Sequence, residues 1–79
     1  MRKSVHTTAY TVLRKRLVAA RQAAGLSQQE LADKLNRHQS FVAKYEGGER
    51  RIDLVELLEI ATVLGADARR IIRAVAGEI

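Results

Sequence analysis

The sequence predicts an all-α fold, a compact bundle of five short helices, on three observations. First, 47% of its 79 residues are apolar but only Tyr10, Phe41 and Tyr45 are aromatic. The core must therefore be built from Leu, Ile, Val and Ala, which suits packed helices. Second, there is no proline, and no Val/Ile/Thr run alternates with the period of two that a half-buried strand requires. Third, apolar stripes at helical spacing are bracketed throughout by helix-starting and helix-stopping residues. The length allows one small domain, residues 8–79, preceded by a flexible polar arm over residues 1–7.

Each helix is marked by its ends. Helix 1 runs from about Thr8 to Ala24, with Leu13, Leu17, Ala20 and Ala24 on one stripe. Gly25 stops it by taking the left-handed conformation, and Leu26 supplies the apolar contact that often follows. Helix 2 opens at Ser27, because Ser27-Gln28-Gln29-Glu30 is a capping box, and ends near Leu35. Asn36 tolerates positive φ better than other non-glycine residues, so the chain turns there. Helix 3 covers about Gln39 to Glu46 and stops at Gly47-Gly48. The loop Glu49-Arg50-Arg51 leads to Asp53, which repeats the capping pattern with Glu56. Helix 4 carries Leu57, Ile60, Ala61 and Leu64 inward and ends at Gly65. Asp67 caps helix 5, which carries Ile71, Ile72 and Val75 and fades at Gly77. None of these helices is long enough to be stable alone, so packing must hold them.

Composition narrows the function. The absence of cysteine excludes a disulfide scaffold and a thiolate zinc site and fits a reducing cytoplasm. No apolar run approaches the ~20 residues of a membrane span, and the basic N-terminus lacks the apolar stretch of a signal peptide. The net charge is +5 and unevenly placed. Residues 1–21 hold six bases (Arg2, Lys3, Arg14, Lys15, Arg16, Arg21) and no acid; residues 52–68 hold four acids (Asp53, Glu56, Glu59, Asp67) and no base. A basic face is the electrostatic footprint of a nucleic-acid binder, although a solvated basic surface has the same composition.

The corner between helices 2 and 3 is more specific. Counting Gln28 as position one, Ala32 falls at five, Asn36 at nine, Val42 at fifteen and Tyr45 at eighteen. This is the spacing of a helix-turn-helix. A steep crossing needs a small side chain at the contact (Ala32), the turn needs positive φ (Asn36), and Val42 and Tyr45 anchor the second helix. Gln39, Ser40, Ala43 and Lys44 are then left facing outward. The outward amides and hydroxyls both donate and accept, which suits base edges, whereas carboxylates there would repel phosphates.

The chain resembles the Cro/C1-type helix-turn-helix domain, the lambda-repressor-like or XRE family. The matching residues are Arg21, Gly25-Leu26-Ser27-Gln28, Glu30-Leu31-Ala32, Val42, Lys44, Tyr45-Glu46, Gly48, Leu57, Ile60, Ala61 and Leu64-Gly65. They span about residues 10–76. The resemblance implies a lambda-repressor-like bundle whose helix 3 enters the major groove of double-stranded DNA. It implies that Gln28 contacts a phosphate and braces Gln39, and that Gln39 reads a base edge; a carboxamide can pair bidentately with adenine. Ser40 then meets a base or a phosphate, and Lys44 a guanine or a phosphate. Arg50 and Arg51 follow the recognition helix, where the family's loop runs beside the DNA backbone, so each is expected on a phosphate. Arg21 and Glu46 are expected to form a largely shielded salt bridge between helix 1 and the end of helix 3.

Three residues depart from the family pattern. Arg37 replaces an apolar residue and either touches a phosphate or is solvated. His38 replaces the usual Ser or Thr cap; it caps weakly, contacts the DNA backbone, or is a plain surface histidine. Phe41 is bulky for an outward-leaning position and either shields the core edge or lies against a thymine methyl.

These readings add up to a sequence-specific transcriptional regulator, acting most simply as a repressor, in the cytoplasm of a bacterium or phage host. One small domain makes few contacts, so a homodimer on a near-palindromic operator is expected, with Ile72, Val75 and Ile79 either forming the dimer contact or completing the monomer's core. RNA polymerase or a toxin protein are further candidate partners. The alternatives are an antitoxin, the controller of a restriction–modification system, or a protein-interaction module that has lost DNA binding. No carboxylate pair, cysteine nucleophile or His cluster suggests an enzyme, a cofactor, a metal or a small-molecule ligand.

Overall fold

Five α-helices follow one another in the computed structural model, which describes residues 7–79: α1 (Thr8–Ala23), α2 (Gln28–Lys34), α3 (Gln39–Gly47), α4 (Leu54–Leu64) and α5 (Ala68–Ala76). Residues 1–6, most of the expected arm, lie outside the described residues. Thr7, assigned to that arm, instead caps α1, its side chain accepting from the Tyr10 backbone N–H. Both predicted capping boxes form. Ser27 Oγ accepts from the Glu30 N–H (3.0 Å) while Glu30 accepts from the Ser27 N–H (2.8 Å), and Asp53 and Glu56 exchange the same pair at 2.7 and 2.9 Å.

Four helices end in one motif. Gly25, Asn36, Gly48 and Gly65 have φ of 74°, 56°, 85° and 68°. Each donates its N–H three residues back, and the next residue donates five back: Leu26 to Arg21, Arg37 to Ala32, Glu49 to Lys44, Ala66 to Ala61. This Schellman arrangement satisfies carbonyls that the helix end would otherwise orphan and reverses the chain within two residues. It is how five helices fit into so few residues. The single asparagine stands at the turn between α2 and α3, where Ala32, fully buried, lets the two helices approach.

The core gathers Leu17, Leu31, Ala32, Phe41, Val42, Tyr45, Leu57, Ile60 and Ile71 from all five helices. The predicted stripes supply most of it. Ala24 is a correction: α1 ends one residue earlier than expected, so Ala24 sits in the exposed cap. Ile72 turns outward, because neighbouring helical residues lie about 100° apart and Ile71 already takes the core side. Tyr10 is a core residue that its isolated place on α1 did not reveal; it is buried, and its hydroxyl donates to the Arg50 carbonyl at 2.9 Å. Burial pushes the Tyr45 phenol far above the ordinary tyrosine range, so it stays neutral.

Gly48 is required twice over. Its φ is left-handed, and a Cβ there would stand 3.3 Å from the Arg14 guanidinium tucked beneath the turn. Gly48→Ala should cost at least about 1 kcal/mol from backbone strain alone and lower the melting temperature by about 4–8 °C per kcal/mol. Thermal denaturation followed by circular dichroism checks it.

Candidate nucleic-acid interface

The best-defined polar feature of the fold is the Glu46 carboxylate at the end of α3. Arg21 on α1 grips it with both prongs: Nε donates to Oε2 at 2.8 Å and Nη2 to Oε1 at 3.0 Å. The pair is well sheltered, with side-chain exposures of 13% and 6%. The bond to Glu46 holds the Arg21 pKa above its ordinary value. Arg21 also donates to the Leu26 carbonyl (2.8 Å), tying in the loop before α2. The expected shielded bridge is therefore present.

From Glu46 a relay runs to the front of α3. Gln28 Nε2 donates to Glu46 Oε1 (2.9 Å), and Gln39 Nε2 donates to Gln28 Oε1 (3.1 Å). The carboxylate can only accept, so Gln28 must turn its NH₂ toward it and its carbonyl toward Gln39. That fixes the sense of Gln39 in turn. One amide N–H and the carbonyl oxygen of Gln39 remain for an outside partner. An acceptor beside a donor is the pattern that the adenine edge, with N7 and N6–H₂, presents in the major groove.

His38 caps α3. Its Nδ1 accepts from the Ser40 backbone N–H at 3.1 Å, and the Ser40 hydroxyl lies 2.9 Å from the same nitrogen. Capping, one of the readings open for His38, is realised through Nδ1 while the side chain stays exposed, and Ser40 is held by the same contact. Lys44 is exposed one turn beyond Ser40. Gln39, Ser40 and Lys44 therefore share the outward side of α3, as expected from the spacing.

Phe41 does not lean outward. It is 9% exposed, meets Tyr45 edge-on with ring centroids 5.3 Å apart, and carries the Arg37 and Arg50 guanidinium carbons 4.3 and 4.9 Å from its centroid. Of its two readings, shielding the core edge is the one realised. Arg50 also holds Glu56 with two prongs, Nη1 to Oε1 at 3.1 Å and Nη2 to Oε2 at 2.9 Å, and Arg37 Nη1 lies 3.4 Å from Oε2. Arg37 is thus not merely solvated, and Arg50 is not a free loop cation. Glu56 is buried; the Arg50 hydrogen bonds, helped by the Asp53 N–H and Arg37, hold its carboxyl below the usual carboxylate range against the opposing effect of burial. Arg51 is exposed, its guanidinium 4.7 Å from the Tyr10 ring centroid.

At the far end, Val75 packs against the core, while Ile72 and Ile79 are 42% and 97% exposed. The three residues, with Leu13, Leu57 and Ala76, line an apolar groove of about 220 Å³. Leu54, Val55 and Leu58 add exposed apolar surface on α4. Two residues that hold this surface in place escaped the sequence reading. Arg14 donates to the Glu46 carbonyl at 2.8 Å; its signal was the seven-residue spacing from Arg21, which puts both on one side of α1. Glu56 was read only as half of a capping box, and nothing in its local sequence announces Arg37 or Arg50.

Removing Glu46 would strand the Arg21 guanidinium and the Gln28 amide. Glu46→Ala should destabilise the fold by roughly 3–5 kcal/mol, read as a fall in the chemical-denaturation midpoint. Glu56 sets a pH dependence. A carboxyl with a folded pKa below its unfolded value stabilises the fold at pH above the unfolded pKa and loses that contribution as pH falls through the folded one. Stability should therefore decline as pH drops below about 4.3, the unperturbed glutamate value, and Glu56→Gln should make that decline shallower in melts run across acid pH.

A helix-turn-helix family model matches residues 17–71, which takes in the Glu46 relay and the whole corner. Among curated proteins, none matches. Among solved structures, an XRE-family-like protein from Pseudomonas syringae pv. tomato is similar at 38% identity and a TM-score of 0.84, covering 94% of this chain and 90% of that one. The restriction–modification controller protein C.AhdI from Aeromonas hydrophila is similar at 35% identity and a TM-score of 0.71, covering 78% and 90%. The clp gene regulator ClgR from C. glutamicum shares the fold at 21% identity and a TM-score of 0.78, covering 96% and 97%. With the family's helix-turn-helix built around Ala32 and Asn36 and its recognition helix braced by Arg21, Glu46 and Gln28, the chain belongs to the Cro/C1-type, XRE family of DNA-binding transcription regulators.

Proposed function

We propose that the protein is a cytoplasmic regulator of bacterial or phage genes that reads a near-palindromic operator as a homodimer and represses by occupying it. The observation that carries this reading is the oriented Gln39 carboxamide, held through Gln28 from the sheltered Glu46 with a donor and an acceptor left free. A side chain fixed in that sense suits discrimination between bases. Gln39 contacts a base, Ser40 a base or the adjoining phosphate, and Lys44, one turn on, a guanine or a phosphate. Gln28, at the start of α2, offers its remaining amide N–H to the backbone. Arg37, His38, Arg50 and Arg51 line the turn before α3 and the loop after it, where they face phosphates.

The exposed Ile72 and Ile79 support dimerisation through α5, since an apolar surface of that kind on a small basic protein favours a second copy. Val75 contributes from the groove wall. A second, narrower reading is the controller of a restriction–modification system, favoured by the 35% identity to such a controller over most of both chains. A restriction endonuclease gene beside this one would support it.

Selection of bound duplexes from a randomised library, for wild type and Gln39→Ala, tests the proposal. The expected result is a two-fold symmetric consensus that degrades at one defined position per half-site in the variant, at a cost of about 1–3 kcal/mol. A consensus unchanged by Gln39→Ala would refute the base contact. An asymmetric single half-site would refute the dimer.

A further inference from the structure

We propose that Glu56 is a positioning residue for the DNA backbone contact, holding the Arg37 and Arg50 guanidiniums across Phe41 as one phosphate-binding surface. The proposal rests on the DNA-binding reading above and adds to it a residue that itself touches no DNA. Phe41 carries both guanidiniums, at 4.3 and 4.9 Å from its centroid, and both address the same buried carboxylate. Two like charges do not gather on one ring unaided; Glu56 is what holds them there.

Donor bookkeeping shows what is left over. A guanidinium has five N–H groups. Arg50 directs Nη1 to Glu56 and to the Arg51 carbonyl (2.9 Å) and one Nη2 N–H to Glu56, which leaves its Nε and the second Nη2 N–H. Arg37 makes only longer ion-pair contacts, 3.4 Å to Glu56 and 3.9 Å to the half-exposed Glu59, so its donors remain largely available. The two side chains are 37% and 41% exposed. One buried carboxylate faces two guanidiniums, and the second acid, Glu59, 3.9 Å from Arg37 and 54% exposed, is a solvated partner that a phosphate can displace. The cluster keeps outward guanidinium N–H groups, which are what a phosphate oxygen needs.

Its place on the fold fits. At 3.6 residues per turn, Phe41 lies roughly 220° around the outward side of α3 from Glu46, with the buried Val42 and Tyr45 on the remaining arc. The Glu46 relay therefore lines one flank of α3 and the Arg37–Glu56–Arg50 cluster the other, with Gln39, Ser40 and Lys44 between them. The cluster joins the turn before α3 to the loop after it and to the first turn of α4. Glu56 thereby fixes the two loop arginines relative to the reading face.

The test is salt-dependent binding to a mixed-sequence DNA duplex, which reports phosphate contacts without requiring the operator. Wild type, Glu56→Gln and Arg50→Lys are compared, each confirmed folded by circular dichroism at the assay temperature. Glutamine preserves the capping box and raises the net charge by one. A residue that merely screens the arginines would therefore give tighter binding and a steeper salt dependence when replaced. We expect the opposite: binding about three- to ten-fold weaker, from disordering two long side chains, and a slope of log K against log salt shallower by about one. Arg50→Lys keeps the charge but not the two-pronged grip, and should weaken binding in the same direction; it carries the test alone if Glu56→Gln does not fold. Binding as tight as wild type in Arg50→Lys, or tighter binding in a folded Glu56→Gln, overturns the assignment. A wild-type protein with no salt-dependent affinity for duplex DNA overturns the DNA-binding reading itself, and this proposal with it.

Discussion

The geometry of the reading face depends on one carboxylate. Glu46 sits at the end of α3 but is held from α1 by Arg21 and from the start of α2 by Gln28, and its own carbonyl accepts from Arg14. Three helices are thereby tied at a single point. Because the site is sheltered, the attraction is poorly screened, and because every oxygen is engaged, the charge does not need water. Such a pair adds little net stability compared with an apolar contact of the same size. What it supplies is direction: a group that can only accept sets the polarity of each amide beyond it, out to Gln39 on the surface.

The backbone does comparable work at lower stakes. Four left-handed residues end four helices by the same pair of hydrogen bonds. Each reversal takes two residues and pairs two carbonyls of the helix end, so helices too short to stand alone are joined without the entropy cost of long loops. The α2–α3 turn differs from the others only in using Asn36 and in being followed by Arg37, whose backbone closes the motif while its side chain reaches Phe41 and Glu56. One residue thus serves the turn, the core edge and the charge cluster.

The two flanks of α3 are built on the same principle with different materials. On one side a bidentate arginine and two amides form a directed relay. On the other, a buried carboxylate gathers two guanidiniums over an aromatic ring. In each case the polar group that faces solvent or a partner is oriented by a carboxylate that is sheltered. A recognition helix of nine residues has little rigidity of its own; braced on both flanks, it presents its side chains in fixed senses.

How much of this was legible in advance follows from the range of each interaction. Helix ends are local, decided within four or five residues, so Ser27 with Glu30, Asp53 with Glu56, Asn36 and the glycines located all five helices to within about a residue. The helix-turn-helix spacing is also local, and the Arg21–Glu46 pair came with the resemblance that the spacing supports. The sequence alone thus determined the fold class, the corner and the outward side of α3. It did not determine what joins residues far apart in the chain. That Phe41 turns inward, that Arg50 pairs with Glu56, that Arg14 lies under Gly48, and that Ile72 is exposed where Ile71 is buried were decided by the tertiary structure. The physical reason is that a side chain's partner is set by which surfaces the packed helices bring together. Helical periodicity gives the side of a helix a residue occupies, but not the neighbour it meets there.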